Sequence, residues 1–182
     1  ILEKLTTNRD DLIIRIGTRV PIVDPGLVTE ELIEVLSKPN SVWIALQCNH
    51  PLELTREVKT LTDKLVSNGI NLLNQSVLLK GVNDSVEVLE ELSFRLLQFN
   101  IRPYYLFQGD LAQGTSHLRV PIQRGLDIVK KLKDNLSGLG MPIYAVDIPG
   151  GGGKVHLNRD SIIDEDEEYF YLQNSSGFIG KY

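Results

Sequence analysis

The sequence is poor in the residues that hold metals, disulfides and membrane anchors. Its 182 residues include a single cysteine, Cys48. One thiol excludes an internal disulfide, a zinc site built from cysteines and an iron–sulfur cluster held by this chain alone. The apolar runs are only a few residues long, whereas a membrane-spanning helix needs about 20 apolar residues. We therefore expect a cytoplasmic protein that makes no contact with membranes.

The chain also has no excess of positive charge. The formal net charge is -5 and the isoelectric point is near 5.2, with the 19 lysines and arginines scattered. A nucleic-acid partner is not expected, because phosphate backbones are bound by clustered basic residues. Hydrophobic residues (42%) and charged residues (24%) are present in the proportions of a globular protein with its own core.

Short β-branched, apolar runs alternate with amphipathic helical patterns along the chain. The predicted strands are Leu12–Ile16, Val42–Gln47, Leu72–Leu79, Ile101–Phe107 and Pro142–Ile148. The first four begin about 30 residues apart, which is the size of one βαβ unit. This order predicts a parallel sheet with right-handed crossovers, either open or closed into a barrel.

The predicted helices are marked by their ends. Thr29 caps Glu30–Leu36, Gly69 closes the helix over Thr55–Asn68, Asp84 and Glu87 form a capping box, and Pro121 opens a helix. After these helices the pattern changes. The acidic run Asp164–Glu168 predicts a solvated turn, and Tyr169–Gln173 with Gly177–Tyr182 predict a β-hairpin. We accordingly divide the chain at residues 1–140 and 141–182.

Polar residues follow the predicted strands, where parallel α/β folds bind their ligands. They are Gly17, Thr18 and Arg19, then Gln47, Asn49 and His50, then Asn74 and Gln75, then Gln108 and Asp110, and finally Asp147. We expect them to lie along one rim of the sheet.

The segment Gly150–Lys154 is the most unusual of these strand ends. It is not a phosphate-binding P-loop, because Ile148 stands where the first glycine belongs and Val155 follows the lysine. Glycines permit positive φ angles and close approach to a ligand, so Lys154 could reach a pocket and form a Schiff base with an aldehyde cofactor. The alternative is a flexible surface turn with a solvated lysine.

Asp110 and Asp147 each follow a strand directly. Two carboxylates on one rim could clamp an ammonium group, bind a divalent metal or act as acid and base, or each could simply satisfy loop amides. His50 is expected to serve as a loop hydrogen-bonding residue, since no second ligand stands at metal-binding spacing. Tyr105 and Phe107 are predicted to pack in the sheet, with Tyr105 also a candidate for a pocket wall.

Several longer motifs resemble the lysine 2,3-aminomutase family of radical S-adenosylmethionine (SAM) enzymes. They are Arg15–Arg19, Cys48–Pro51, Leu73–Asp84, Arg102–Tyr105 and Val146–Lys154. The similarity runs in register over about residues 10–157 and corresponds to the C-terminal part of such an enzyme.

The resemblance implies a function and a set of roles. Lys154 would hold pyridoxal 5′-phosphate (PLP), Gln75 would lie near SAM, and Asp110 with Asp147 would bind the distal ammonium of substrate lysine. A 4Fe-4S cluster would reduce SAM, and the amino group of lysine would move from C2 to C3. Relatives that act on glutamate are expected to replace the aspartate pair, so its presence favours lysine.

The departures from the family are equally specific. The family's C-x-x-x-C-x-x-C loop and its early phosphate-binding arginines are missing, so the cluster's ligands are absent from this chain. If the fold is a TIM-like partial (β/α)6 barrel of radical SAM type, residues 12–107 supply its last four strands. With Ile1 at the start and Met141 as the only methionine, we expect a fragment of a homo-oligomeric enzyme that is inactive alone.

Two alternatives remain open. One is an aminomutase acting on a protein-bound lysine, although those relatives have a different sequence ahead of the PLP lysine. The other is a non-catalytic, truncated copy that binds PLP or a partner chain.

Overall fold

The computed structural model describes residues 2, 4, 11–39 and 41–182. Two compact units divide them: the described residues up to 75 together with 91–104, and residues 76–90 together with 105–182. Among the described residues, no helix combines the length and apolarity needed to cross a membrane.

Strands and helices alternate through most of the described chain. The strands are β1 Ile14–Thr18, β2 Val42–Leu46, β3 Asn71–Val77, β4 Arg102–Phe107, β5 Ile143–Ile148, β6 Gly153–His156, β7 Ile162–Glu165, β8 Phe170–Gln173 and β9 Ile179–Lys181. The helices are α1 Val20–Val23, α2 Glu30–Ser37, α3 Arg56–Ser67, α4 Val86–Gln98 and α5 Ile122–Asn135. All five predicted strands are therefore present, which confirms the mixed α/β fold with a parallel sheet.

In the first unit, β1, β2 and the start of β3 pair in parallel. Ile14 lies opposite Val42, and Ile44 lies opposite Leu72. Four of the five side chains of β2 are buried, as expected for a parallel strand covered on both faces. The apolar stripe of α3, with Val58, Leu61 and Leu65, is buried as its helical period predicts.

In the second unit, β4 and β5 pair in parallel and β6 turns back antiparallel to β5. The predicted hairpin forms as β8 and β9, and β7 adds a third antiparallel strand; we call β7–β9 the tail sheet. The acidic run is therefore only partly a turn, because Asp164 and Glu165 belong to β7. The run of negative charge does not predict this strand, and the register of β7 with β8 is irregular between Ile162 and Asp164.

The predicted helix ends are mostly confirmed. Thr29 caps α2 by accepting a hydrogen bond from the Leu32 amide, and Gly69 takes a φ of +77° after α3. The capping box at Asp84 is wrong. Ser85 accepts the amide of Val88 at the start of α4, while the Asp84 carboxylate accepts the amide of Gly81. A carboxylate that stabilises the preceding turn is no longer available to the helix.

Candidate functional site

The antiparallel turn from β5 to β6 brings Lys154 and Asp147 together. The two residues are direct partners in the strand pairing. Lys154 Nζ donates to both carboxylate oxygens of Asp147, at 3.0 Å to Oδ1 and 3.2 Å to Oδ2. The side chains are 31% and 54% exposed respectively, so the ion pair lies at the surface of the second unit with its amine reachable from solvent.

Two aromatic rings from β4 lie against the same ammonium. Lys154 Nζ is 4.0 Å from the ring centroid of Phe107 and 5.1 Å from that of Tyr105. The rings are two residues apart on one strand, so they share a face of the sheet and stack with centroids 5.1 Å apart. A carboxylate and aromatic faces together form an environment suited to an organic cation. We call Tyr105, Phe107, Asp147 and Lys154 the ammonium cluster.

The glycine run is an ordered turn instead of a loose tether. Gly150, Gly151 and Gly153 adopt φ angles of +82°, +87° and +69°, which favour glycine, and Gly152 is buried. Lys154 itself lies in β6, whose pairing with β5 fixes its position. Lys154 is exposed, as in the alternative of a surface turn with a solvated lysine, but β6 pairs with β5, and glycine composition does not reveal that pairing.

Asp110 is exposed in the loop that follows β4, and it lies outside the β5–β6 pair that carries Asp147 and Lys154. It lines a cavity of about 180 Å³ together with Val77, Thr115 and Arg119. Arg119 donates to the backbone carbonyl of Asp110, and its Nε is buried without a hydrogen-bond partner among the described residues. Asp110 and Asp147 thus both belong to the second unit. Their joint action on one ammonium group stays a prediction.

A buried polar network holds the chain just before Asp110. Gln108 is 1% exposed, accepts a hydrogen bond from Tyr144 Oη and donates to the Val120 carbonyl. Tyr182 donates to the carbonyl of Gly109. Burial raises the pKa of the Tyr144 hydroxyl and of the Tyr182 hydroxyl, so both stay protonated, and can donate hydrogen bonds, further into the alkaline range than an exposed tyrosine.

Gln75 lies in β3 within the first unit and is half-buried. The neighbouring Asn74 is 1% exposed and holds the end of β2, accepting from the Cys48 amide at 2.9 Å and donating to the Cys48 carbonyl at 3.0 Å. His50 is confirmed as a loop residue, since its Nδ1 accepts the amide of Leu52. The proximity of Gln75 to SAM stays a prediction.

Sequence reasoning missed Phe107 as part of the site. Phe107 had been assigned to packing, yet its ring is the aromatic group nearest to the Lys154 ammonium among those described. The available sequence signal was the two-residue spacing of Tyr105 and Phe107 at the end of a strand. The partner across the sheet could not be identified, because β6 was not predicted.

The residues of this chain fit PLP but do not fit a 4Fe-4S cluster. An accessible lysine amine on a paired strand beside aromatic rings fits PLP, whose aldehyde bonds to lysine and whose ring is planar. A 4Fe-4S cluster does not fit, because its irons are held by several cysteine thiolates. Cys48 is the only cysteine, and burial, with Glu53 nearby, raises the pKa of its thiol to about 12. Among the described residues no group of three or more His, Cys, Asp or Glu could hold a metal ion.

Solved structures define the class of fold. A radical SAM methyltransferase from Sphaerobacter thermophilus superposes with a TM-score of 0.54 at 19% identity, covering 79% of this chain and 45% of that protein. Streptococcus suis SuiB, solved bound to S-adenosylmethionine, gives 0.50 at 14% identity, covering 72% of this chain and 32% of the other. The chain therefore shares the mixed α/β fold of these two proteins.

Sequence comparison finds similarity to one named group of enzymes. The family model described as lysine-2,3-aminomutase matches residues 129–182. L-lysine 2,3-aminomutases of Methanococcus maripaludis and Bacillus subtilis are 41% and 38% identical over the whole chain, which covers 42% and 39% of their lengths. Over its whole length the chain is similar to the C-terminal part of these lysine 2,3-aminomutases, and residues 129–182 match the family model.

A relative named for another substrate is nearly as similar to this chain. A glutamate 2,3-aminomutase of Clostridioides difficile is 36% identical over 168 residues, covering 92% of this chain and 40% of that protein. Overall sequence identity to this chain therefore differs little between relatives named for lysine and the relative named for glutamate.

Proposed function

We propose that this chain forms the C-terminal part of an L-lysine 2,3-aminomutase, an isomerase that moves the amino group of lysine from C2 to C3. The observation that carries the proposal is the ammonium cluster, in which Lys154 Nζ lies 3.0 Å from Asp147 and 4.0 Å from the Phe107 ring. The chain spans about two fifths of the length of the relatives it matches, so the remaining parts of the site belong to other residues.

Lys154 would hold PLP covalently through Nζ, with loss of one water molecule as the carbon–nitrogen double bond forms. When bound, PLP would carry the migrating amino group, and SAM with a 4Fe-4S cluster would supply the radical. The cluster's ligands must come from outside this chain, because its one cysteine is buried.

Asp147 would then change partner. While Lys154 Nζ is a free ammonium it is held by Asp147, as the two hydrogen bonds show. With Nζ committed to the cofactor, the Asp147 carboxylate beside the Phe107 and Tyr105 rings would be available to another ammonium group. This environment suits the distal ammonium of lysine, with Asp110 as a second carboxylate. A carboxylate pair also disfavours glutamate, whose side chain is negative.

Four finer points belong to the same proposal. The fold is completed upstream as a partial (β/α)6 barrel, with the described strands β1–β4 as its last four. Gln75 lies near SAM, the substrate is free lysine, and the full-length protein is a cytoplasmic homo-oligomer.

The lysine assignment is tested by trapping. Full-length protein is incubated with PLP and reduced with borohydride, and the modified lysine is located by peptide mass mapping. Lys154 should carry the reduced cofactor, and Lys154→Ala should abolish specific labelling. Lys181→Ala is the matched control, since Lys181 Nζ also lies over two aromatic rings, at 5.1 Å and 5.2 Å.

The isomerase assignment needs a product measurement. NMR of lysine incubated with reduced, SAM-loaded full-length protein should show the 3-amino isomer. PLP trapped at Lys154 without product would favour the non-catalytic reading, in which the chain binds the cofactor alone. Specific labelling that persists in Lys154→Ala would show that Lys154 does not hold PLP and would overturn the proposal.

A further inference from the structure

The glycine turn, residues 150–153, loses much backbone entropy when it is ordered. The contacts of the ammonium cluster do not explain what holds it in place. Three of its four glycines adopt positive φ angles, and a glycine run loses more backbone entropy on ordering than any other sequence. Lys154 follows the turn directly. Ordering this segment therefore requires contacts from elsewhere in the second unit.

The tail sheet supplies close packing against the turn. A Cβ built on Gly152 would collide with the ring of Phe178 and would lie 3.2 Å from Ile148 Cβ. A Cβ built on Gly180 of β9 would collide with Ile148 Cγ2. Glycine is thus required at 152 and at 180 for lack of space, and both residues are buried. Each lets one segment approach the other around Ile148, the last residue of β5.

A hydrogen bond fixes the same contact. Asn174 Nδ2 donates to the Gly152 carbonyl at 2.7 Å. The other end of the amide organises the turn between β8 and β9, where Asn174 Oδ1 accepts from the Phe178 amide at 2.9 Å and the Ser176 amide at 3.0 Å. One side chain therefore joins the turn of the tail sheet to the turn that precedes Lys154.

We propose that the tail sheet positions Lys154, with Asn174 and Phe178 as positioning residues that act through Gly152. Gly152 lies two residues before Lys154, and the next residue, Gly153, pairs with Ile148 in the strand register that places Lys154 opposite Asp147. Holding Gly152 fixes the start of β6 and hence the direction of the amine. This inference rests on the proposed function, since a fixed amine matters because it must meet an aldehyde carbon.

The chain offers a matched pair of variants. Asn174→Asp keeps the oxygen that accepts from Ser176 and Phe178 but cannot donate to Gly152. Ser176→Ala removes a hydrogen bond to that same oxygen, of 2.8 Å from Ser176 Oγ, without changing the bond to Gly152. Phe178→Ala and the conservative Phe178→Leu test the ring, and Phe94→Ala, at a 49% exposed phenylalanine on α4, controls for loss of an aromatic side chain.

Two readouts are made on the full-length protein. The first is amide hydrogen exchange over residues 150–155 without cofactor. The second is PLP affinity, from the absorbance of the lysine-bound cofactor. Asn174→Asp should speed exchange and weaken PLP binding about fivefold, the usual net effect of one hydrogen bond. Phe178→Ala should do the same, Phe178→Leu should recover part of the loss, and Ser176→Ala and Phe94→Ala should match the parent.

The outcomes separate this inference from the proposed function. Equal exchange rates in Asn174→Asp and Ser176→Ala would show that the hydrogen bond from Asn174 to Gly152 does not stabilise the glycine turn. Faster exchange with unchanged PLP affinity would also overturn the positioning role. If the parent protein captures no PLP at Lys154, the proposed function fails, while the exchange comparison without cofactor still decides whether the tail sheet holds the turn.

Discussion

Lys154 and Asp147 face each other across an antiparallel strand pair, with Nζ 3.0 Å from Oδ1 and the Phe107 ring 4.0 Å away. The residue proposed to hold the cofactor is thus paired with a residue proposed to hold the substrate. Neither side chain is deeply buried. We therefore expect the Lys154–Asp147 pair to contribute little to stability, and its proposed role is in binding.

Asp147→Asn should change the free energy of unfolding by less than about 1 kcal/mol, because ion pairs at this exposure are screened by solvent. The KM for lysine should nevertheless rise at least about tenfold, since the carboxylate proposed to hold the substrate ammonium is lost. Asp63→Asn is the control, breaking the exposed Lys59–Asp63 pair away from the site. Urea unfolding and steady-state kinetics measure the two effects, and an unchanged KM would contradict the assignment of Asp147.

Asn74→Ala should destabilise the first unit by about 2 kcal/mol. The side chain is 1% exposed, and its loss leaves the amide and carbonyl of Cys48 without their Asn74 partner in a buried position. Asn71→Ala, at an exposed position three residues earlier on the same strand, should cost much less. Denaturant titration of both variants compares them directly, and equal losses would rule out this role for Asn74.

Gly125→Ala should be destabilising although alanine favours helices by about 1 kcal/mol over glycine. A Cβ at this position of α5 would collide with the hydroxyl of Tyr144, which donates to Gln108. We expect a net loss of about 1–3 kcal/mol from the displaced ring. Gly138→Ala, where a Cβ meets nothing within 4 Å, should be neutral or stabilising. Thermal melts test both.

Cys48 should resist thiol reagents in the folded protein. Burial raises the pKa of its thiol from 9.0 to about 12, with the nearby Glu53 carboxylate adding to the rise. At pH 8 the reactive thiolate is therefore about a thousandfold rarer than in the unfolded chain, and labelling should require unfolding. Fast labelling under native conditions would show that the thiol is accessible.

The same shift predicts a loss of stability in alkali. Below pH 9 the thiol is protonated in both states. Between pH 9 and about 12 the unfolded chain releases the proton and the folded chain keeps it, so the free energy of unfolding falls as pH rises. In Cys48→Ala this part of the decline should disappear, which unfolding titrations at pH 8 and pH 10.5 would measure.

The sequence alone determined the strand–helix alternation, the helix ends at Thr29 and Gly69, and the resemblance to the aminomutase family. These features depend on neighbours within a few residues, or on motifs kept in register, so local patterns are enough to find them. Asp84 is the exception, because its carboxylate accepts the amide of Gly81 in the preceding turn instead of an amide at the start of α4.

Only the tertiary structure decided what surrounds Lys154. The pairing of β6 with β5, the Phe107 ring under the ammonium, and the contact of Gly152 with Phe178 and Asn174 join residues that are 7 to 47 positions apart in the sequence. A glycine run has no side chains whose pattern could reveal such partners. Its conformation is set by the space and the hydrogen-bond donors that other segments present, and these exist only once the chain has folded.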